Sequence, residues 1–293
     1  MRVAFFFISS RIKLLAPNNK LCAMDCLSAV ILDMDGTILD TTVELCSAVA
    51  GAANRMVPSL ALQHFQVLSD YPGLYGGPLD EFHDTIVLPH KPGLTKDEKK
   101  DSTAKFIKFF LEEVQNSPPS PCFDDVLSAL EELKKKYPSL LFAVATTKPT
   151  KTAESDLTSS AVPNALRPLL SHVQGTDAGI APKPAPDVLF RCASVIGVDI
   201  KKTIYVGDTS RDAGAGRAAG CMMTVTVQRD ADKFGDMLGA DAVISDFKGI
   251  EVRKWRNQDS GNVVVMVTTT TILFWYNNKS INTNLASNLE SLC

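Results

Sequence analysis

Two aspartates separated by a single residue, Asp33 and Asp35, follow an apolar run and precede Gly36. A carboxylate at the end of a buried strand can attack phosphorus and form an aspartyl-phosphate. A second carboxyl group two residues later can protonate the leaving oxygen and then deprotonate the water that hydrolyses the intermediate. Gly36 lets the chain turn so that backbone N–H groups face the phosphoryl oxygens. Calcium loops and plain turns also contain Asp-x-Asp-Gly, so this motif alone leaves the chemistry open.

Two further polar residues add to this chemistry. Thr146 ends a second apolar run, and its hydroxyl can either bind a phosphoryl oxygen or cap the next turn. Lys183 lies between Pro182 and Pro184, which restrict the backbone on both sides and hold the base of the side chain in place. A fixed ammonium can neutralise an attacking carboxylate and a phosphoryl group together. The alternative is a solvated loop lysine.

A second pair of aspartates, Asp208 and Asp212, begins at the end of another apolar run. If a helix starts there, the spacing of four residues lets both carboxylates face one point. Two more carboxylates beside Asp33 would repel it strongly unless a divalent cation lay between them. Hard oxygen ligands at this density favour Mg2+. The alternative is a helix N-cap aspartate followed by an unrelated surface aspartate.

The elements that position these residues alternate along the chain. Strands buried on both faces are predicted at five apolar runs, Ala29–Leu32, Leu140–Ala145, Thr203–Val206, Met222–Val227 and Ala242–Ile244. Helical patterns lie between them, one through Val126, Leu130 and Leu133, and another through Val188, Leu189, Cys192, Val195 and Ile196. This alternation predicts an α/β fold with a Rossmann-like, doubly wound parallel sheet. Such sheets bind ligands at the carboxyl ends of their strands, where the polar residues fall.

The chain divides into four predicted regions. Residues 28–40 and 121–250 form the core domain. Residues 41–120 have helical patterns, no strong strand pattern and a proline-rich end, which predicts an inserted α-helical domain. Residues 1–27 form an N-terminal extension, in which residues 1–24 are basic and resemble either an organellar targeting segment or a start codon placed too early. Residues 251–293 form an atypical, β-prone tail.

The order of the motifs is as informative as their identity. The motifs occur in the order Asp-x-Asp-Gly-Thr, Thr, Lys and Gly-Asp-x-x-x-Asp. Together they lie within about Ser28 to Asp246. This arrangement resembles the haloacid dehalogenase superfamily of phosphohydrolases. The resemblance implies a Rossmann-like core with a helical cap between the first two motifs, which matches residues 41–120. It also implies that Asp33 is the nucleophile and Asp35 the acid/base.

The same resemblance implies the binding residues. Phosphate binding is implied for Thr146, Thr147, Lys183 and Gly36, with Thr147 at a position where relatives often have asparagine. Mg2+ is the implied cofactor, held by the side chains of Asp33 and Asp208 and the backbone carbonyl of Asp35, with Asp212 in support.

This sequence most resembles one branch of the superfamily. Residues 183–227 contain KPAPDVLF and VGDTSRDAGAGRAAG, which look like the phosphoglycolate-phosphatase-like branch. Asp35 favours a phosphate ester, since dehalogenases and phosphonatases lack this second aspartate. The implied function is Mg2+-dependent hydrolysis of a small phosphate monoester, phosphoglycolate-like or a phosphosugar. A sugar-phosphate mutase or phosphotransferase, and a non-enzymatic phosphate-binding member, are the alternatives.

Tyr75 and Gly76 lie in a stretch with three glycines and two tyrosines between helical patterns of the predicted cap. We interpret this stretch as a substrate-specificity loop that closes over the strand ends and excludes water. The alternative is a plain turn between helices.

The amino-acid composition argues against several classes of binding partner. The net charge is -3 and no long basic run occurs, which argues against a nucleic-acid partner. The seven cysteines form no C-x-x-C pair and the four histidines are far apart, which argues against a zinc site or a secreted disulfide framework. The apolar run in the tail is too short to span a bilayer. We therefore expect a cytoplasmic protein, or an organellar one if residues 1–24 are a targeting segment, whose partner is a small phosphorylated metabolite.

Overall fold

A six-stranded, fully parallel sheet forms the centre of the computed structural model, which describes residues 27–74, 76–229 and 239–247 and the backbone of 251–256 and 263–268. The strands are β1 (Ala29–Leu32), β2 (Leu141–Ala145), β3 (Leu170–Gln174), β4 (Thr203–Gly207), β5 (Met223–Val227) and β6 (Ala242–Ile244). Their order is β3-β2-β1-β4-β5-β6. β1 is therefore central and pairs in parallel with both β2 and β4.

The five predicted strands are confirmed, whereas β3 was missed. The sequence of β3, Leu-Ser-His-Val-Gln, has polar residues at three of five positions. It pairs only with β2, at the edge of the sheet. A strand at an edge does not need apolar residues at every position, so β3 can lack the continuous apolar run by which the other strands were predicted.

Nine α-helices connect and flank these strands in the described part of the chain. They are α1 (Thr42–Met56), α2 (His64–Asp70), α3 (Leu79–Phe82), α4 (Lys96–Asn116), α5 (Asp124–Lys136), α6 (Thr150–Leu157), α7 (Leu166–Leu169), α8 (Asp187–Val195) and α9 (Ser210–Ala219).

Helices cover both faces of the sheet, as the predicted doubly wound fold requires. Val30 and Leu32 of β1 are buried in one cluster with Val126 of α5. Ile31, between them in sequence, is buried in a second cluster with Val188 of α8. Successive strand residues point to opposite faces, so α5, α6 and α7 cover one face and α8 and α9 the other.

The structure tests the buried faces that were predicted for two helices, α5 and α8. Val126, Leu130 and Leu133 of α5 are all buried as expected. In α8 the predicted face is confirmed except at Val195, which is 49% exposed. Val195 is the last residue of the helix, whereas Ile196, directly after it, packs against the same cluster as Val188.

The chain between β1 and α5 is helical and has its own core. α1 packs against α4, and the cluster between them includes the buried rings of Phe106 and Phe110. The chain leaves and re-enters the sheet at one place, where the Asp40 N–H donates to the Pro121 carbonyl at 2.8 Å. That this segment is a separate cap domain over residues 41–120 stays a prediction.

Other predicted regions fall largely outside the described residues. Of the N-terminal extension, residues 1–27, only Leu27 is described. In the tail, the backbone of β7 (Glu251–Arg256) pairs antiparallel with that of β8 (Val263–Thr268). Among the described helices, none combines the length and the hydropathy that crossing a membrane requires.

The two-sided core leads to a stability prediction. Phe142 of β2 is completely buried, so Phe142→Ala should lower the free energy of unfolding by about 3–5 kcal/mol. Phe190→Ala is the matched control, because this ring on α8 is 46% exposed and its loss should cost less than about 1 kcal/mol. Urea unfolding of both variants checks this. Equal losses would contradict the placement of Phe142 in the core.

Candidate active site

The candidate site lies at the carboxyl edge of the sheet, between β1 and β4. The order of the strands reverses here, because connections run from β1 to β2 on one side and from β4 to β5 on the other. Such a reversal opens a crevice that commonly binds ligands. Asp33 follows β1 directly and Asp208 follows β4 directly, so both stand at this crevice.

Three carboxylates and one ammonium meet at this edge. One oxygen from each of Asp33, Asp208 and Asp212 lies within 4.8 Å of the others. Lys183 Nζ is 2.6 Å from Asp33 Oδ1 and 2.5 Å from Asp212 Oδ1, with the lysine side chain only 3% exposed. The Thr37 hydroxyl donates to Asp208 Oδ1 at 3.2 Å. The structure thus brings together four predicted residues that are up to 179 positions apart in the sequence.

The start of α9 fixes the position of Asp212. Thr209 is the N-cap, and its hydroxyl accepts from the Asp212 N–H at 3.3 Å. In return, Asp212 Oδ2 accepts from the Thr209 N–H at 3.1 Å and from the Thr209 hydroxyl. This reciprocal capping satisfies backbone groups that a helix start leaves free. Asp212 Oδ2 therefore caps the helix, while Oδ1 faces Lys183.

Tyr205 is a member of the site that the sequence analysis did not single out. Its hydroxyl donates to Asp212 Oδ1 at 2.7 Å and lies 3.1 Å from Lys183 Nζ, which donates to it. The side chain is fully buried. A tyrosine within a strand that is otherwise apolar was the available signal, because a buried phenol needs a hydrogen-bond partner.

Burial and mutual repulsion control the protonation of the carboxylates. Burial, followed by the charge of Asp212, raises the pKa of Asp33 to about 7. Burial with the charges of Asp212 and Asp33 raises the pKa of Asp208 well above its usual value. Burial alone would also raise the pKa of Asp212. The charge of Lys183 and the hydrogen bonds that Asp212 accepts outweigh this effect and hold its pKa below the usual value.

These residues fit a divalent cation. One ammonium faces three carboxylates, and burial together with the negative charge of the neighbouring carboxylates raises the pKa values of Asp33 and Asp208. A cation placed between the carboxylates would lower both pKa values. The donor atoms are hard oxygens, which suit Mg2+.

Gly36 supplies room for Asp208. Its φ is +75°, and a Cβ atom added there would lie 2.1 Å from Asp208 Oδ2. The Gly36 N–H donates to the Leu39 carbonyl at 2.8 Å. Gly36 therefore shapes the site through its missing side chain, and its own N–H is already engaged within the turn.

Asp35 lies apart from the three clustered carboxylates. Its Oδ1 is 2.8 Å from the ammonium of Lys148, which is also 2.8 Å from Asp156 Oδ2. Burial alone would lower the pKa of Lys148, but the charges of Asp35 and Asp156 outweigh it and raise the pKa, so the ammonium stays charged. Lys148 was not identified from the sequence, because its partner Asp35 is more than a hundred residues away.

The two threonines after β2 differ in their contacts. The hydroxyl of Thr146 is buried and accepts from the Lys148 N–H at 3.2 Å, which is the turn-capping alternative that the sequence left open. The same oxygen keeps a hydrogen to donate. The Thr147 hydroxyl is also buried and has no hydrogen-bond partner among the described residues. Both hydroxyls are thus able to donate to an added oxygen atom.

The glycine-rich stretch of the helical segment approaches the turn after β4. Tyr75 lies outside the described residues. Gly76 has φ +76°, and a Cβ atom there would lie 3.0 Å from the Thr209 side chain. Arg211 of α9 forms an ion pair with Glu81 of α3 and donates to the Gly73 carbonyl at 3.4 Å. The loop that contains Gly76 is therefore attached to the helix that carries Asp212.

The fold and site correspond to a known class of enzymes. The family model of haloacid dehalogenase-like hydrolases matches residues 30–226. The chain therefore belongs to the haloacid dehalogenase-like hydrolase family.

Individual relatives are phosphatases by name. A probable phosphatase, IndB, from Dickeya dadantii is 30% identical over 65% of this chain and 77% of its own length. A phosphoglycolate phosphatase from Haemophilus influenzae is 32% identical over 44% of this chain, and the match spans 54% of that relative, about half its length. The crystal structure of a predicted phosphoglycolate phosphatase from Haemophilus somnus has the same fold, with a TM-score of 0.58 at 24% identity over 77% of this chain and 96% of that one.

The packing of Gly36 against Asp208 gives a testable prediction. Gly36→Ala should reduce hydrolysis of a generic aryl phosphate by more than about tenfold, because the new methyl group would displace the Asp208 carboxylate. Gly93→Ala is the matched control, with φ +85° but nothing within 4 Å of the added atom. Both variants should lose about 1–2 kcal/mol of stability from backbone strain. Equal activity in the two variants would contradict the role of Gly36.

Proposed function

We propose that this chain is a Mg2+-dependent phosphatase that hydrolyses a small phosphate monoester through an aspartyl-phosphate. The observation that carries the proposal is the buried contact of Lys183 with Asp33, at the switch point of the sheet. A carboxyl group in contact with an ammonium, in a crevice whose further carboxylates suit a divalent cation, is suited to attack phosphorus.

The proposed reaction has two steps. An Asp33 oxygen attacks phosphorus, the bond from phosphorus to the ester oxygen breaks, and Asp35 gives its proton to the leaving oxygen. Asp35, now a carboxylate, then takes a proton from water as that water attacks the phosphoryl group. The bond to Asp33 breaks, inorganic phosphate forms, and the Asp33 carboxylate and the Asp35 acid are restored.

Other residues bind the phosphoryl group and the metal in this proposal. Thr146 and Thr147 donate hydroxyl hydrogens to phosphoryl oxygens, and Lys183 neutralises the group. The residues that would hold Mg2+ are Asp33, Asp208 and the Asp35 carbonyl, with Asp212 in support. When bound, the ion would supply positive charge against the phosphoryl oxygens and reduce their repulsion of the nucleophile.

The helical segment acts as a cap in this proposal. Its loop around Gly76 lies against Thr209, and the Arg211–Glu81 ion pair attaches it to α9. A loop in this place can cover the phosphate ester and exclude water, and the Tyr75 hydroxyl would bind the non-phosphate end. We propose a cytoplasmic enzyme for a phosphoglycolate-like ester or a phosphosugar, in keeping with relatives named phosphoglycolate phosphatase and N-acetylmuramic acid 6-phosphate phosphatase.

The nucleophile is tested by Asp33→Asn. The amide has nearly the same shape but is far less nucleophilic, so kcat should fall by more than about a hundredfold. Asp40→Asn, an exposed aspartate seven residues later, is the matched control and should keep wild-type activity. Phosphate release from a panel of small phosphate esters is the measurement. An Asp33→Asn variant with more than about one hundredth of the wild-type kcat would exclude this nucleophile.

The metal site is tested by Asp208→Ala. Loss of a ligand should raise the Mg2+ concentration for half-maximal activity by about 10–100-fold or abolish activity. Thr37→Val should cause a smaller shift in the same direction, because it removes only the hydrogen bond to Asp208 Oδ1. Mg2+ titrations of phosphate release in the two variants and the wild type measure the shift. Identical Mg2+ dependence in wild type and Asp208→Ala would remove Asp208 from the site.

The same assays distinguish hydrolysis from transfer. A phosphatase releases inorganic phosphate from a single ester, whereas a mutase moves the group between positions of a sugar. Isomerised sugar phosphate without phosphate release would favour the mutase.

A further inference from the structure

Lys148 contacts the carboxyl group that the proposed function makes the acid/base. Its Nζ lies 2.8 Å from Asp35 Oδ1 and 2.8 Å from Asp156 Oδ2. The side chains of Lys148 and Asp35 are only 19% and 18% exposed. Because two carboxylates share this ammonium, it is not a free cation for a phosphate group.

The backbone of Lys148 is fixed from two sides. Its N–H donates to the Thr146 hydroxyl at 3.2 Å, and its carbonyl accepts from the Thr176 N–H at 2.9 Å. Asp156, the second partner of the ammonium, lies on α6. Lys148 therefore reaches Asp35 from a rigid turn between β2 and α6, at the same turn that carries the phosphate-binding candidates.

We propose that Lys148 is a positioning residue for Asp35, which holds Oδ1 so that the other carboxyl oxygen can face the leaving group. This inference rests on the proposed function. An ion pair at one oxygen restricts the rotation of a carboxyl group, so its second oxygen meets the substrate in fewer orientations. Asp156 keeps the ammonium in place in turn.

A small cavity lies beside Lys148 and Asp156. The cavity has a volume of about 30 Å³, and Lys148, Asp156, Thr41 and Ser159 are among the residues that line it. The hydroxyls of Thr41 and Ser159 are buried and have no hydrogen-bond partner among the described residues.

The chemistry of the leaving group can distinguish a positioning role of Lys148 from its other possible roles. When the ester bond breaks, an alkoxide leaving group needs the proton of Asp35. A nitrophenolate is a stable anion and leaves without that proton. Both esters give the same aspartyl-phosphate, so the difference between them lies in kcat/KM, which reports formation of that intermediate. A residue that only orients Asp35 should therefore affect kcat/KM for alkyl esters and hardly for activated aryl esters.

The test compares Lys148→Met and Lys148→Arg on phosphoglycolate and on 2,4-dinitrophenyl phosphate. Lys148→Met should lower kcat/KM for the alkyl ester by about 10–100-fold, which is part of what acid catalysis supplies. It should change kcat/KM for the aryl ester by less than about threefold, because that leaving group does not need the proton of Asp35. Lys148→Arg keeps the charge and should restore the alkyl reaction to within about fivefold of wild type. Lys151→Met, an exposed lysine on α6, is the matched control and should change neither reaction.

Other outcomes overturn the inference. Equal loss on both esters would make Lys148 a phosphate-binding or purely structural residue, and no loss on either would give it no role. A wild-type protein that hydrolyses neither ester, over a panel of alkyl phosphates, would overturn the proposed function together with this inference. Thermal unfolding monitors the fold of each variant. If Lys148→Met does not fold, Asp156→Asn, which removes the second partner of the ammonium, should show the same selective loss at a smaller size, and its absence counts against the inference.

Discussion

The buried ammonium of Lys183 between Asp33 and Asp212 is the interaction on which the site depends. Without it, three carboxylates would share a crevice of low polarity, and removal of one partner from a buried ion pair costs about 3–5 kcal/mol. With it, Asp33 and Asp212 are held close to each other. The hydroxyl of Tyr205 then joins both the lysine and Asp212, so the strand core and the charged site become one network.

The same residues stabilise the fold and form the candidate active site. Asp212 caps α9 with one oxygen and contacts Lys183 with the other. A Cβ atom at Gly207, which precedes Asp208, would lie 2.3 Å from the Asp212 side chain. The helix start, the strand end and the carboxylates therefore hold their positions only together, which is the preorganisation that electrostatic catalysis needs.

Much of this arrangement was predictable from the sequence. The central strands are buried on both faces, and a strand in that position must be apolar throughout, so runs such as Ala29–Leu32 are visible without a structure. In a parallel sheet the residues after such strands share one edge, and this rule brought Asp33 and Asp208 together in the prediction. The order of the motifs then identified the family. β3 was missed because three of its five residues are polar, which a strand at an edge of the sheet allows.

The sequence by itself determined the alternation of strands and helices, the charged residues at the strand ends and the family to which the chain belongs, because these follow from local apolar patterns and short spacings. Only the tertiary structure decided which side chains meet. Lys148 contacts Asp35, Arg211 contacts Glu81, and the Tyr205 hydroxyl reaches Asp212. The first two of these contacts join residues that are more than a hundred positions apart in the sequence. They depend on how the turns and helices at the edge of the sheet pack against one another, and no local sequence pattern sets that packing.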